Sequence, residues 1–266
     1  MTTGLVFSPV IMKKRDERRK LRIVSLAPSA TSILCAIGAK SSLVGVTKWC
    51  VDVAPVAGLP QFGDCWRMEA VEEILKLRPT LVIGSVPYKQ ETVAKLLEQP
   101  LNFLAMNPRT LADVDADIRL LASIVGRARD GERTIRAMRA GFNSVRKKAT
   151  RKRPRVYCEA WPNPRISSPP WVAELVEIAG GETVVPAGER VSDAQVAAAQ
   201  PEVIVLAWAA TGAKADPGKT YGVAGWQDVH AIRELRVHVI SDELLNTPGP
   251  PLVRGAMELW KVLHAD

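Results

Sequence analysis

VEEILKLRPTLVIG (71–84) and DAQVAAAQPEVIVL (193–206) write one pattern twice. Each carries a short helical pattern, a two-residue run into proline, and then a burst of aliphatics. Pro79 and Pro201 stand 122 positions apart, and Leu81-Val82-Ile83 overlay Val203-Ile204-Val205. A helix, a breaker and a buried strand in that order form part of an alternating α/β unit. Repeating the unit so far downstream predicts two similar lobes, each built on a parallel sheet.

The repetition extends outward from those stretches. RIVSLAPSATSILCAIGAKSSLVGV (22–46) reads as strand, proline turn, amphipathic helix, glycine stop and strand, with Ile33, Leu34 and Ile37 on the apolar face. RVYCEAWPNPRISSPPWVAELVEIAGGETVV (155–185) repeats that order, with Leu175 and Ile178 inward and Gly180-Gly181 as the stop. Between the halves, DGERTIRAMRAGFNSVRKKATRKR (130–153) puts Ile135, Met138, Phe142 and Val145 on one helical stripe and charge elsewhere. A flexible linker would be rich in Gly, Ser or Pro instead. The expected organisation is a basic tail (1–20), an N-terminal α/β lobe (21–129), a connecting helix (130–153) and a C-terminal α/β lobe (154–266). The fold class is α/β: two Rossmann-like lobes joined by one long rigid helix, with a ligand cleft between them.

The net charge of +8 is local. KKRDERRKLR (13–22) contributes +5 and RKKATRKRPR (146–155) contributes +7, which leaves the remainder at −4. No zinc-finger, RNA-binding or helix-turn-helix signature accompanies these runs, so nucleic acid is not expected as a partner. No apolar run approaches the roughly 20 residues of a membrane helix. The N-terminal order, LVFSPVI before the basic run, reverses that of a secretory signal, and the sequence as written reads as cytoplasmic, with a periplasmic or cell-surface protein the reading if the start is misassigned. Cys35, Cys50, Cys65 and Cys158 are widely spaced with no CxxC pair, which speaks against a structural zinc site.

Open α/β sheets bind ligands outside the carboxyl ends of their strands. The loops expected there are APSAT (27–31), TKWCVD (47–52), FGDCWRM (62–68), GSVPYK (84–89), EAWPNP (159–164), AWAATG (207–212) and SDELLNTPGPP (241–251). Trp49, Trp66, Trp161 and Trp208 fall in them, four of the seven tryptophans, which suits a large, flat, partly apolar ligand. Ser85 lies in the fourth loop. Bond-making chemistry is poorly supported: no HExxH, GxSxG or phosphate-binding glycine loop appears, and lobe one has no histidine. Asp64 and Glu159 read as surface or capping carboxylates before they read as an acid–base pair. No metal site and no covalent cofactor are expected.

RIVSLAPSATSILCAIGAKSSLVGVT and FGDCWRMEAVEEILKLRPTLVIG resemble the cobalamin and ferric-siderophore branch of ABC-importer substrate-binding proteins, with the cobalamin binders nearest. The resemblance runs from about Leu21 to Leu263 and is tighter in lobe one. It implies two α/β lobes bridged by one long helix, and binding without catalysis. It implies cobalamin or a related corrinoid as the ligand, held by Pro28 and Ser29 after the first strand, by Trp49, Trp66 and Trp161, and by Asp242 and Asn246 in the last loop. It also implies docking on a membrane permease through one surface glutamate per lobe. Glu72 matches the first, whereas Ala194 occupies the second, and a tryptophan before that helix is replaced around Gly188. With the N-terminal order and Ala194 against docking, the expected corrinoid binder is a cytoplasmic relative used for storage, delivery or sensing before it is an ABC-importer component. Two alternatives stay open: a ferric-siderophore or haem importer component, to which Lys48, Arg67 and Lys89 offer cations, and a cytoplasmic metal-cofactor enzyme using the cleft thiols.

Overall fold

The computed structural model describes residues 21–66, 71–150 and 152–264. Lobe one runs β1 (Ile23–Ser25), α1 (Pro28–Ala36), β2 (Leu43–Thr47), β3 (Gln61–Phe62), α2 (Glu72–Lys76), β4 (Leu81–Ser85), α3 (Gln90–Leu97), β5 (Phe103–Met106) and α4 (Leu111–Ile124). Its five strands are parallel, in the order β3-β2-β1-β4-β5. The connections therefore reverse direction between β1 and β4, and the loops leaving those two strands open a crevice suited to a ligand. Pro28 begins α1, where its missing N–H costs nothing. Thr110 and Asp113 form a reciprocal capping box at the start of α4.

The strut is α5 (Ala128–Arg146), 19 residues long, with Ile135, Met138, Phe142 and Val145 buried as the spacing predicts. It begins two residues earlier than expected and ends well before residue 153, the chain then turning towards Pro154. Two of its glycines allow close approach to neighbours on both sides. A Cβ at Gly131 would lie 2.6 Å from Ala122 Cβ of α4, and one at Gly141 would lie 2.4 Å from Val253 Cγ1 in the last helix.

Lobe two runs β6 (Arg155–Pro162), β7 (Arg165–Ser167), α6 (Pro170–Ile178), β8 (Glu182–Thr183), α7 (Asp193–Ala199), β9 (Val203–Leu206), α8 (Pro217–Tyr221), α9 (His230–Arg233), β10 (Val237–Val239), α10 (Asp242–Leu245) and α11 (Leu252–Leu263). β10, β9 and β6 are parallel neighbours, and β8 lies parallel beside the start of β6. β7 departs from the expected parallel sheet: it folds back antiparallel on the far end of β6. Proline fixes backbone angles suited to a turn, and Pro162-Asn163-Pro164 turns the chain back where a strand-exit loop was expected.

The repeat is conformational as well as sequential. Arg78 (φ 46°) and Gln200 (φ 42°) both adopt the left-handed conformation immediately before the matched prolines. A residue preceding proline is disfavoured in the right-handed helix, and a left-handed residue is a common way to end one.

One apolar core passes through both lobes. It joins Ile33, Val114 and Ile118 through Ile135 and Met138 to Trp171, Leu175 and Leu259. The Leu111 N–H donates to Glu174 Oε1 at 2.9 Å, from lobe one to lobe two. A Cβ at Gly249 would lie 2.9 Å from Ser32 Oγ of α1. The strut and these contacts hold the two halves against each other.

Candidate ligand site

On the lobe-one side, β1 delivers Pro28 and Ser29 at the first turn of α1, and β4 ends in Ser85. Ser29 and Ser85 are 2% and 6% exposed, and among the described residues neither hydroxyl has a hydrogen-bond partner. β2 leads into a tight turn, Lys48–Asp52, that carries Trp49. Trp49 is half-buried, and Lys48 Nζ sits 4.6 Å from its ring centroid. Four residues beyond β3, Trp66 is 50% exposed, while its backbone N–H donates to Asp64 Oδ1 at 3.0 Å. Arg67 and Met68 of that loop, like the basic run at 13–20, lie outside the described residues.

The lobe-two side is less open than the sequence suggests. Trp161, at the end of β6, is half-buried and donates its indole N–H to Asn163 O within the hairpin (2.9 Å). Trp208 is a correction to the expected ring set. It is 5% exposed, packs in the core behind the sheet, and donates its indole N–H to Glu159 Oε1 at 2.8 Å. Glu159 is fully buried. Its Oε2 accepts from the Tyr157 hydroxyl (2.8 Å) and is ion-paired with Arg165. Arg165 also bonds Asp193 Oδ1 at 2.8 Å and stacks on Trp226, 4.4 Å from its centroid. A buried carboxylate needs charge-assisted donors, and this one has three. Glu159 is therefore neither a surface nor a catalytic carboxylate.

Asp242 and Asn246 hold neighbouring loops. The Asp242 carboxylate accepts from the Ala210 and Gly212 N–H groups at 2.9 and 2.7 Å, and both residues have positive φ. Successive amides pointing into a turn make a concave anion seat. Burial nonetheless holds the Asp242 carboxyl above the ordinary range, against the pull of those amide bonds. Asn246 donates to Ala207 O at 2.7 Å, and its Oδ1 is buried without a partner among the described residues. The loops of the two lobes face each other here: Asp52 is raised by burial and then by the nearby charge of Glu243.

The thiols are closed off. Cys50 is buried between the Thr31 and Thr47 hydroxyls, at 3.0 and 3.1 Å. Burial pushes Cys65 and Cys158 up to about 12, with the Asp64 charge adding to Cys65. A neutral thiol is neither a good nucleophile nor a good metal ligand. Among the described residues no group of three or more His, Cys, Asp or Glu could hold a metal ion. At the opposite end of the lobe-one sheet, an open polar groove of about 980 Å³ lies beside Arg22, Arg78, Thr80 and Asn102. Its polar groups bond one another: Arg22 donates to Leu77 O at 2.8 Å, and Asn102 to Thr80 O at 3.0 Å. It lies at the amino ends of β1 and β4, away from the loops described above.

The sequence missed Tyr157, Arg165 and Trp226. The available signal was alternation: Tyr157 and Glu159 share one face of β6, and a carboxylate on a buried face demands partners.

Two α/β lobes fixed on a helical strut, with aromatic-bearing loops at the carboxyl ends of their sheets, define a bilobed solute-binding protein. A family model described as periplasmic binding protein matches residues 23–244, and the chain belongs to that family. It is a binding protein and not an enzyme. The vitamin B12-binding protein of Pectobacterium carotovorum subsp. carotovorum (strain PC1) is 26% identical over 259 residues, covering 92% of this chain and 88% of that protein. YvrC of Bacillus subtilis (strain 168), an ABC transporter substrate-binding lipoprotein, is 23% identical over 271 residues, covering 97% and 83%. Among solved structures, the apo periplasmic haem-binding protein RhuT of Roseiflexus sp. RS-1 superposes with a TM-score of 0.74 at 26% identity, covering 91% of this chain and 99% of that one. The periplasmic vitamin B12-binding protein BtuF of Vibrio cholerae gives 0.72 at 23% identity, covering 91% and 96%, a likeness of fold.

Family membership overturns the expectation of a cytoplasmic protein. The family is periplasmic, and the matched lipoprotein is likewise extracytoplasmic. The order of two short runs near the N-terminus is a weaker observation than a match over 222 residues. The alternative of a thiol-dependent metal enzyme falls with it, since the family is non-catalytic and the cleft thiols Cys50, Cys65 and Cys158 are buried.

Proposed function

We propose that the chain binds cobalamin or a related corrinoid between its lobes, as the solute-binding component of an ABC importer. The observation that carries this reading is the pair of lobe-one indoles, half-buried Trp49 and half-exposed Trp66, on loops that leave adjacent strands of the sheet. With Trp161 across the cleft they offer flat apolar area to a macrocycle. Covering about 100 Å² of one ring contributes on the order of 2.5 kcal/mol.

The axial position favours a corrinoid over haem. A haem iron needs an axial ligand such as His, Cys, Tyr or Met, whereas cobalamin carries its own lower axial base. Among the described cleft loops, Tyr88 donates its hydroxyl to Met106 O at 2.8 Å, and burial raises its pKa. Cys65 is buried and protonated at neutral pH, and all three histidines lie in the last third of the chain. The B12-binding relative supports the same choice.

Docking on the permease is asymmetric in this reading. Glu72 is exposed at the start of α2, ready for a cationic partner. Exposed Ala194 stands at the second residue of α7. Calorimetric titration with hydroxocobalamin, haemin and a ferric siderophore tests the ligand. The expected result is saturable one-to-one binding of the corrinoid and weaker or no binding of the other two. Tight haemin binding without corrinoid binding would reassign the ligand and leave the fold unchanged.

A further inference from the structure

The strut carries a charge distribution that holding two lobes together does not require. Residues 128–155, the strut and the segment that follows it into β6, contain eleven basic residues and two acidic ones, +9, of which α5 itself contributes +3 and the residues after it +6, against +8 for the whole chain. The placement is ordered as well as dense. Arg129, Arg133, Arg136 and Lys147 recur at intervals of four, three and eleven residues, and at 3.6 residues per turn they fall on one line. That line is opposite the buried stripe of Ile135, Met138, Phe142 and Val145, and all four cations are exposed. Eighteen residues at 1.5 Å per residue extend the array over about 27 Å.

The nearby carboxylates lie off this crest and are already engaged. Asp130 is ion-paired with Arg127 and Arg133, Glu132 with Arg119, and Asp115 with Arg139. Arg136 adds to the field on Glu132, but its side chain makes no hydrogen bond or ion pair among the described residues, and neither do the side chains of Arg129 and Lys147. At the same end as Lys147, Lys148 Nζ lies 5.1 Å from the centroid of half-buried Trp260.

We propose that this outer face of α5 is an electrostatic docking surface for the anionic headgroups of a phospholipid bilayer. A straight, convex row of cations on flexible stems has no pocket for a single phosphate, and suits a surface on which phosphates recur. A single-stranded nucleic acid would need stacking platforms beside the charge. The aromatic nearest this end, Trp260, is covered by Lys148 and tilted against His264, with ring centroids 5.8 Å apart. An extracytoplasmic protein meets a bilayer surface directly, and basic residues close to an anionic bilayer each contribute to binding until salt screens them.

The test is co-sedimentation of the full chain with vesicles of phosphatidylcholine alone or with about a third phosphatidylglycerol. The expected result is binding to the anionic vesicles only, lost as salt rises from about 0.1 M to about 0.5 M. Combining Arg129→Gln, Arg136→Gln and Lys147→Gln should lower the partition coefficient about a hundredfold. Combining Arg78→Gln, Lys95→Gln and Lys214→Gln removes equal charge elsewhere and should have a much smaller effect. Circular dichroism and ligand affinity should not change in the crest variant, which separates lost docking from lost folding. Equal binding to neutral vesicles, or an equal loss in both triple variants, would overturn the proposal. So would an unaffected crest variant, which would assign the binding to the basic run at 13–22. Salt-sensitive capture of a homopolymeric RNA with no vesicle binding would make the face a nucleic-acid surface instead.

Discussion

Trp66 of lobe one is 50% exposed beyond the end of β3, whereas Trp208 of lobe two is 5% exposed beyond the end of β9. Both follow strands that pair parallel with their neighbours, and both lie in loops where a ligand is expected. Their fates differ because of what lies beneath them. Under Trp208, β6 presents Tyr157 and Glu159 on one face, and the β6–β7 hairpin brings Arg165 over them. The buried carboxylate recruits the indole N–H as a donor, and the ring follows it into the core. Nothing comparable lies under Trp66 among the described residues. An aromatic at a strand exit is thus available to a ligand only when no buried acceptor nearby claims its N–H.

The largest expected effect comes from removing that acceptor. Glu159→Ala leaves a buried guanidinium, a hydroxyl and an indole N–H without their partner, and should lower stability by about 3–5 kcal/mol in urea denaturation. Glu159→Gln keeps an acceptor and should cost less. Unchanged stability of the alanine variant would remove the physical basis for the difference between the lobes.

Next in size is Trp208→Phe, which retains a ring but strands Glu159 Oε1, at an expected loss of about 1–3 kcal/mol. The matching lobe-one change, Trp66→Phe, should stay within about 0.5 kcal/mol. Equal losses from the two would show that both rings are core.

A third difference concerns carboxyls. Glu159 has three donors, whereas half-buried Asp117 in α4 has no hydrogen-bond partner among the described residues and is raised to about 6 by burial and then by Asp113. The folded state therefore holds this proton more tightly than the unfolded chain, whose carboxyl has an ordinary pKa of about 3.9. The associated stability is fully present below about pH 4 and is lost as pH rises through about 6. Discounted for solvent screening, Asp117→Asn should gain roughly 1 kcal/mol at pH 7.5 and nothing at pH 4. Thermal melts at the two pH values measure this, and a gain independent of pH would exclude titration as the cause.

The smallest expected effect is on the thiols. Cys65→Ala should leave corrinoid affinity unchanged, because that sulfur is buried and protonated at neutral pH. A loss above tenfold in titration would place the thiol at the ligand.

Much of the architecture was legible because it is periodic. The aliphatic runs after Pro79 and Pro201 are β4 and β9, and the stripe Ile135, Met138, Phe142, Val145 is the inner face of the strut. Antiparallel β7 was not legible, because a turn through Asn163-Pro164 reads in sequence like any proline-rich loop. Trp49 and Trp66 follow β2 and β3, whereas Pro28 and Ser29 open α1, Ser85 ends β4 and Trp161 lies within β6 rather than in a loop. Trp208, Asp242 and Asn246 follow β9 and β10, but their side chains hold the protein's own backbone and core. That information lies in pairings across 49, 30 and 39 residues, which local pattern does not carry.

The central claim is that lobe one supplies the aromatic surface on which a corrinoid rests. Calorimetric titration of hydroxocobalamin into the native protein, Trp66→Ala and Trp208→Phe tests it most directly. The account predicts one-to-one binding, a roughly fiftyfold loss of affinity for Trp66→Ala, and little change for Trp208→Phe. Native affinity in Trp66→Ala, with the loss falling on Trp208→Phe instead, would contradict it.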